Sequence, residues 1–203
     1  RRPLGPTLET AHPEPPLPLS EAPFHDRRVW TLIANGGARA VHHIESPAMT
    51  SLCRMSQVHD IEGLIALVSV IRPGAANEQN KLRFTRRYQG LEPVTYLHPS
   101  LAECLDDAWG LIIYEEHILR ICEQFAGLSP GRADQLRRAL GRSQMTLVDT
   151  LGREFCESAR ARGHPEELVA AVWAMVRGFA GYSFCKAHST AYAVEAYQSA
   201  WLK

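Results

Sequence analysis

The stretch at residues 178–190 concentrates side chains that could bind an anion. Its sequence is GFAGYSFCKAHST, and an apolar helical pattern lies on each side of it. Lys186, His188, Ser189 and Thr190 therefore fall where a helix begins. At such a point free backbone N–H groups and the positive end of the helix dipole add to the side chains. The alternative is a plain joint between two helices, with Ser189 or Thr190 as an N-cap. Local chemistry leaves both open.

A second candidate is the arginine-rich segment 133–142, whose sequence is ADQLRRALGR. Arg137 and Arg138 each offer a fixed fork of donors that suits phosphate oxygens. Arg142 follows one turn after Arg138 on the same helix face. The alternative is a solvated helix whose charges are paired, for example Asp134 with Arg138 at i,i+4 spacing. Glu115, Glu116 and His117 superficially suggest a metal site, but neighbours diverge on a helix, so we predict structural use.

Length and composition fit a cytoplasmic globular protein. The 203 residues suit one domain, or one domain and a tail, and a hydrophobic content of 45% can fill a core. No apolar run approaches the ~20 residues of a membrane span, and no export signal is recognised. The five cysteines are scattered and form no Cys-x-x-Cys pair, which favours reduced thiols over disulfides or a zinc site.

The formal net charge is zero, yet basic residues cluster locally. Residues 81–90 hold four cations and no acid, and we take these four as candidates for DNA binding: Lys81, Arg83, Arg86 and Arg87. A local patch matters more to a phosphate than the sum over the chain. The alternative is a solvated helix face.

The chain divides into a proline-rich tail and a helical domain. Residues 1–24 hold seven of the thirteen prolines, which predicts an extended or disordered tail. Residues 25–203 are predicted to form one domain, truncated at both ends, that is mainly α with one or two short strands, one of them at 39–45. The predicted helices cover 26–33, 47–55, 60–71, 77–89, 100–107, part of 110–126, 130–140, 145–162, 165–178 and the segment from about Ser189 onward.

Several blocks, in order, resemble one family. Residues 179–189 are similar to the Phe-Ala-Gly-Tyr-x-Phe-x-Lys-x-His-Ser motif of the bacterial DNA polymerase III alpha subunits. The resemblance covers about residues 25–203, and ordered blocks are more specific than any single one. The other similar blocks are VHHIESPAM at 41–49, IRPG at 71–74, GLIIYEEH at 110–117, ADQLRRALGR at 133–142 and YQSAWLK at 197–203.

The resemblance implies the helical fingers domain of a C-family DNA polymerase, acting in replication or lesion bypass. It implies that Arg137 and Arg138, with Arg142, contact the triphosphate of the incoming nucleotide. It also implies that Lys186 and His188 lie near the active-site cleft. The partners implied are template–primer DNA, deoxynucleoside triphosphates and other replication or lesion-bypass subunits. Arg72, in the Arg-Pro-Gly turn, is a further candidate for nucleotide binding, or else a charge at a helix C-terminus.

The resemblance also implies what this chain lacks. The family's palm holds two Mg²⁺ ions on an Asp-x-Asp pair upstream of the matched region, and residues 1–40 contain no such pair. We therefore expect no catalytic residue and no metal site in this chain, Mg²⁺ bound outside it, and no polymerase activity of the isolated chain. The rival hypothesis is a non-enzymatic helical module that binds nucleic acid or a protein.

Overall fold

The chain is mainly α-helical, as predicted. The computed structural model describes residues 22–71, 76–181 and 184–203, with the backbone alone for 76–78. Within these ranges there are ten α-helices and no β-strand, and Tyr114 and Phe184 form an isolated bridge. The helices are α1 (Arg27–Ala34), α2 (Pro47–Ser56), α3 (Ile61–Val70), α4 (Ala76–Tyr88), α5 (Pro99–Leu105), α6 (Glu115–Gln124), α7 (Pro130–Gly141), α8 (Met145–Ala161), α9 (Glu166–Arg177) and α10 (Lys186–Trp201).

Local capping chemistry explains four of the helix starts among the described residues. The side chains of Asp26, Ser46, Asp60 and Ser129 each accept a backbone N–H in the first turn that follows. Such caps satisfy donors that have no partner inside the helix. The starts predicted at Asp26, Asp60 and Ser129 are therefore confirmed.

The strand predicted at 39–45 is wrong. These residues form turns, in which Ala40 and His43 have φ angles of 61° and 63°. That left-handed conformation is incompatible with a regular extended strand. The weak alternation of apolar residues instead reflects Val41 and Ile44, which turn inward and are fully buried.

Two hydrophobic cores stabilise the fold. The first lies among α1, α2, α3, α4 and α10, and the second among α5 to α9. Between them runs an extended segment in which Leu111 and Ile113 join the first core while Ile112 joins the second. Because successive side chains of an extended segment point to opposite sides, this one segment contacts both cores. It leads directly into α6, so α6 begins at the border between the cores.

The last residues of the predicted tail pack on the first core. The Phe24 ring lies 5.0 Å from the Tyr197 ring, centroid to centroid, and the Trp30 indole N–H donates to the Phe24 carbonyl at 2.7 Å. The Tyr197 hydroxyl donates to the Pro23 carbonyl at 2.5 Å. Residues 1–21 lie outside the described residues, so the tail itself and its boundary stay a prediction.

Among the residues that the structure describes, no helix is both long enough and apolar enough to span a membrane.

Candidate functional site

The final helix begins earlier than predicted. α10 starts at Lys186 with Cys185 as its N-cap, so Ser189 and Thr190 lie inside the helix. Ser189 is fully buried, and its hydroxyl oxygen lies 2.5 Å from that of Ser69 in α3. Thr190 donates its hydroxyl to the Lys186 carbonyl at 2.9 Å. The N-cap role considered for Ser189 or Thr190 is therefore wrong, because hydroxyls can also bond the carbonyl four residues back inside a helix.

An anion does lie at the start of α10, and it is a side chain of this protein. The backbone N–H of Lys186 lies 3.2 and 3.1 Å from the two carboxylate oxygens of Glu116. Glu116 is the second residue of α6. The first turn of a helix favours negative charge, and here α6 supplies that charge to α10.

The Lys186 ammonium is held by a second carboxylate. Its Nζ lies 2.9 Å from Asp107 Oδ2 and 3.8 Å from a Glu62 oxygen, and 5.5 Å from the centre of the Tyr114 ring. The other oxygen of Asp107 faces His117 Nε2 at 3.1 Å. Burial disfavours the charged carboxylate, but the hydrogen bonds from His117 and Lys186 outweigh it and lower the pKa of Asp107 below its ordinary 3.8. Asp107 therefore stays ionised and fixes the ammonium group.

His117 is a buried structural residue in one tautomer. Its Nδ1 accepts the backbone N–H groups of Ile113 and Tyr114 at 3.2 and 3.3 Å. The ring proton of the neutral imidazole is thereby assigned to Nε2, which donates to Asp107. Burial lowers the pKa of His117 below its ordinary 6.5, although Asp107 opposes this shift. The contacts of this residue and of its two glutamate neighbours support the structural use predicted for them.

The α7 arginines are also paired with carboxylates. Arg137 donates from Nη1 to Glu115 at 2.5 Å, and from Nε and Nη2 to Asp134 Oδ1 at 2.9 and 2.8 Å. Arg138 Nη2 lies 2.7 Å from the other oxygen of Asp134, which is the predicted i,i+4 pair. Burial disfavours the Arg137 charge, but the bonds to Asp134 and Glu115 outweigh it and raise the pKa of Arg137. Arg142 is exposed and follows the last residue of α7.

The first two residues of α6 contact both cationic segments. Glu115 contacts Arg137 of α7, and Glu116 contacts the start of α10 at Lys186. Consecutive Cα atoms are only about 3.8 Å apart, so Arg137 of α7 and the first residue of α10 both contact the same end of α6. His188, the third residue of α10, is exposed there. The first turn of α6 thus contacts two of the cationic residues that were predicted to bind a nucleotide, Arg137 and Lys186.

The basic residues of α4 divide into two groups. Arg83 and Arg86 are exposed and Lys81 is half-buried. The Arg87 side chain is only 7% exposed and donates to Glu92 at 3.1 Å and to the Trp109 carbonyl at 2.8 Å. This burial favours a role for Arg87 in holding the loop after α4 rather than in contacting DNA. Its position three residues after the buried Phe84 was a signal for that role.

Neither Arg72 nor a metal site can be placed in the described part of the chain. Arg72 lies outside the described residues. Within the ranges that are described, no group of three or more His, Cys, Asp or Glu side chains is arranged to hold a metal ion. Asp107 was missed by the sequence analysis, since nothing in its local sequence distinguishes it and Lys186 lies 79 positions away.

The fold and the site define a two-core helical module in which the first turn of α6 contacts a cation of α7 and the first residue of α10. This chain belongs to the family described as the bacterial DNA polymerase III alpha subunit finger domain, whose model matches residues 7–163. The family resemblance carried by the sequence blocks is therefore confirmed. The matched region begins within the proline-rich segment at the N-terminus.

Three relatives illustrate the match. A DNA polymerase III subunit alpha from Caulobacter vibrioides is 37% identical over 92% of this chain, and the one from Escherichia coli K12 is 34% identical over 94%. An error-prone DNA polymerase from Symbiobacterium thermophilum is 33% identical over 92%. The chain spans only 16%, 17% and 17% of the length of these three proteins, respectively.

Proposed function

We propose that this chain is the fingers part of a DNA-directed DNA polymerase alpha subunit, working in replication or lesion bypass. It binds the incoming deoxynucleoside triphosphate and the template–primer DNA, while the primer 3′ hydroxyl attacks the α-phosphate. The observation that carries the proposal is that Arg137 of α7 and the start of α10 both contact the first two residues of α6. Family membership favours this function over the non-enzymatic module considered above.

In this proposal the cations of α7 and α10 form one binding surface for the triphosphate. Arg137 and Arg138, with Arg142 nearby, provide planar donors for phosphate oxygens. Lys186 provides a point charge, and His188 donates a hydrogen bond from the exposed first turn of α10. A triphosphate carries several negative charges, so two cationic segments match it better than one helix does. Arg72 would extend this surface.

DNA binding is proposed for the exposed face of α4. Arg83 and Arg86 are exposed on that helix, and the half-buried Lys81 lies two residues before Arg83. Contacts between basic side chains and phosphates provide affinity that does not depend on base sequence. We also propose that the protein works in the cytoplasm with the other subunits of a replication or lesion-bypass assembly.

Attack of the primer hydroxyl on the α-phosphate requires metal ions, and the described residues of this chain provide no site for them. Two Mg²⁺ ions, held by carboxylates of a palm domain outside this chain, would stabilise the attacking and leaving oxygens. The residues described here do not fit that role, since they offer no cluster of three metal ligands. What these residues contribute is binding and orientation of the triphosphate. The isolated chain should therefore show no primer extension with Mg²⁺.

The test is steady-state kinetics of the intact polymerase with Arg137→Ala and Arg138→Ala. Loss of a charge-assisted phosphate contact costs about 1.5–3 kcal/mol, so kcat/KM for the nucleotide should fall roughly ten- to a hundredfold. Arg132→Ala is the matched control, because Arg132 lies in the first turn of α7 and pairs with Glu154 of α8. The proposal fails if the two variants match the wild type or if the control is equally impaired.

A further inference from the structure

We propose that Glu115 and Asp134 compete with the nucleotide triphosphate for Arg137 and Arg138, so that nucleotide binding requires their displacement. This inference rests on the proposed function of α7. It deepens that function by naming the acidic residues that set the affinity for the nucleotide and favour a triphosphate over ligands with fewer phosphates.

The geometry shows that the relevant donors are occupied. The guanidinium of Arg137 has five N–H groups, and its Nε, Nη1 and Nη2 atoms each donate to a carboxylate. The Nη2 atom of Arg138 lies against the second oxygen of Asp134. The Asp134 carboxylate thus bridges both arginines, in the way that a phosphate group with several oxygens would do.

The same contacts are open enough to be exchanged. The side chains of Arg137 and Glu115 are 25% and 23% exposed, and those of Arg138 and Asp134 are 60% and 34% exposed. Ion pairs at such positions are weak because water screens them. A displaced carboxylate can be hydrated where it stands. The exchange therefore leaves no fully buried, unpaired charge.

Charge count decides which ligand can make the exchange. Each carboxylate carries a single charge, whereas a terminal phosphate carries −1.5 to −2 and three acceptor oxygens. A triphosphate can replace both carboxylates at once. A ligand with one or two phosphates replaces them less completely. Glu115 and Asp134 therefore increase the ratio between the affinity for a triphosphate and the affinity for these smaller ligands.

The experiment measures the dissociation constant of dATP, and of dADP, on the intact polymerase bound to a dideoxy-terminated primer–template. Glu115→Gln and Asp134→Asn keep the size of the side chain and remove its charge. We expect each to tighten dATP binding about two- to fivefold, the range for loss of an exposed ion pair, and to narrow the ratio between dATP and dADP. Thermal melting verifies that each variant is folded.

Glu154→Gln is the matched control. Glu154 pairs with Arg132 at 2.7 Å, also between an arginine of α7 and a carboxylate, and its substitution changes the net charge equally. It should leave dATP binding unchanged. Equal tightening by the control would show a general effect of charge and would overturn the inference. Weaker dATP binding by Glu115→Gln and Asp134→Asn would also overturn it, because the carboxylates would then serve to orient the arginines.

The two proposals fail separately. If Arg137→Ala leaves dATP binding intact, the proposed function of α7 is wrong. The inference is then wrong as well, because it rests on that function. If Arg137→Ala weakens dATP binding but neither acidic variant tightens it, only the inference is wrong.

Discussion

The Glu116 carboxylate accepts the backbone N–H of Lys186, which lies 70 positions later in the chain, with distances of 3.2 and 3.1 Å to its two oxygens. Glu116 stands in the first turn of α6, and Lys186 is the first residue of α10. One carboxylate therefore neutralises the positive ends of two helices. This contact sets the position of α10 against α6, and with it the position of the Lys186 side chain.

Replacement of Glu116 by alanine should destabilise the fold more than loss of an ordinary first-turn acid does. We expect the free energy of unfolding to fall by about 1–2 kcal/mol, since a cap and a favourable dipole contact disappear together. Urea unfolding measures this. Glu167→Ala is the control, because Glu167 is an exposed acid in the first turn of α9. Equal effects of the two substitutions would show that the contact with α10 contributes nothing.

His117 should make stability depend on pH near neutrality. Burial lowers its pKa in the folded state below the ordinary 6.5, so the unfolded chain takes up a proton first as the pH falls. Stability should therefore decrease as the pH falls through about 6.5. The lowered pKa of Asp107 adds a second loss of stability at more acidic pH, below its ordinary 3.8.

His117→Gln should lower overall stability by about 1–3 kcal/mol, because buried hydrogen-bonding groups lose their partner. It should also flatten the pH dependence of the melting temperature between pH 7 and pH 5. The exposed His188 offers a control, since His188→Gln should keep the slope of the wild type. A slope as steep as that of the wild type in His117→Gln would contradict the assignment, because the lowered pKa of His43 accounts for only part of the wild-type slope.

Gly152 is required by the packing of α8 on α9. A Cβ atom at this position would lie 2.2 Å from Cζ2 of Trp173, so an added methyl group displaces the Trp173 ring or the helix that carries it. We expect Gly152→Ala to destabilise the chain by about 1–3 kcal/mol, although alanine favours a helix by about 1 kcal/mol. Gly131→Ala in α7 meets no atom within 4 Å and should be neutral or slightly stabilising. A Gly152→Ala variant as stable as Gly131→Ala would refute the packing argument.

The local sequence determined the helices and most of their ends. Asp26, Asp60 and Ser129 indicate helix starts because their side chains cap backbone N–H donors only two or three residues away. The start of α10 was misplaced for the opposite reason. Its N-cap, Cys185, makes no side-chain cap, and the capping carboxylate comes from α6. A capping residue that is distant in the chain cannot be recognised from the sequence around the helix start.

The sequence by itself also determined the family and which cations to examine, since ordered motifs and runs of arginine are local features. Only the tertiary structure decided how those cations are engaged. It placed Arg87 in the interior, paired Lys186 with Asp107, and joined Arg137 to Glu115 across two helices. The physical reason is that electrostatic partners are chosen by distance in space. That distance is set by the packing of helices on the two cores, which no local pattern of residues encodes.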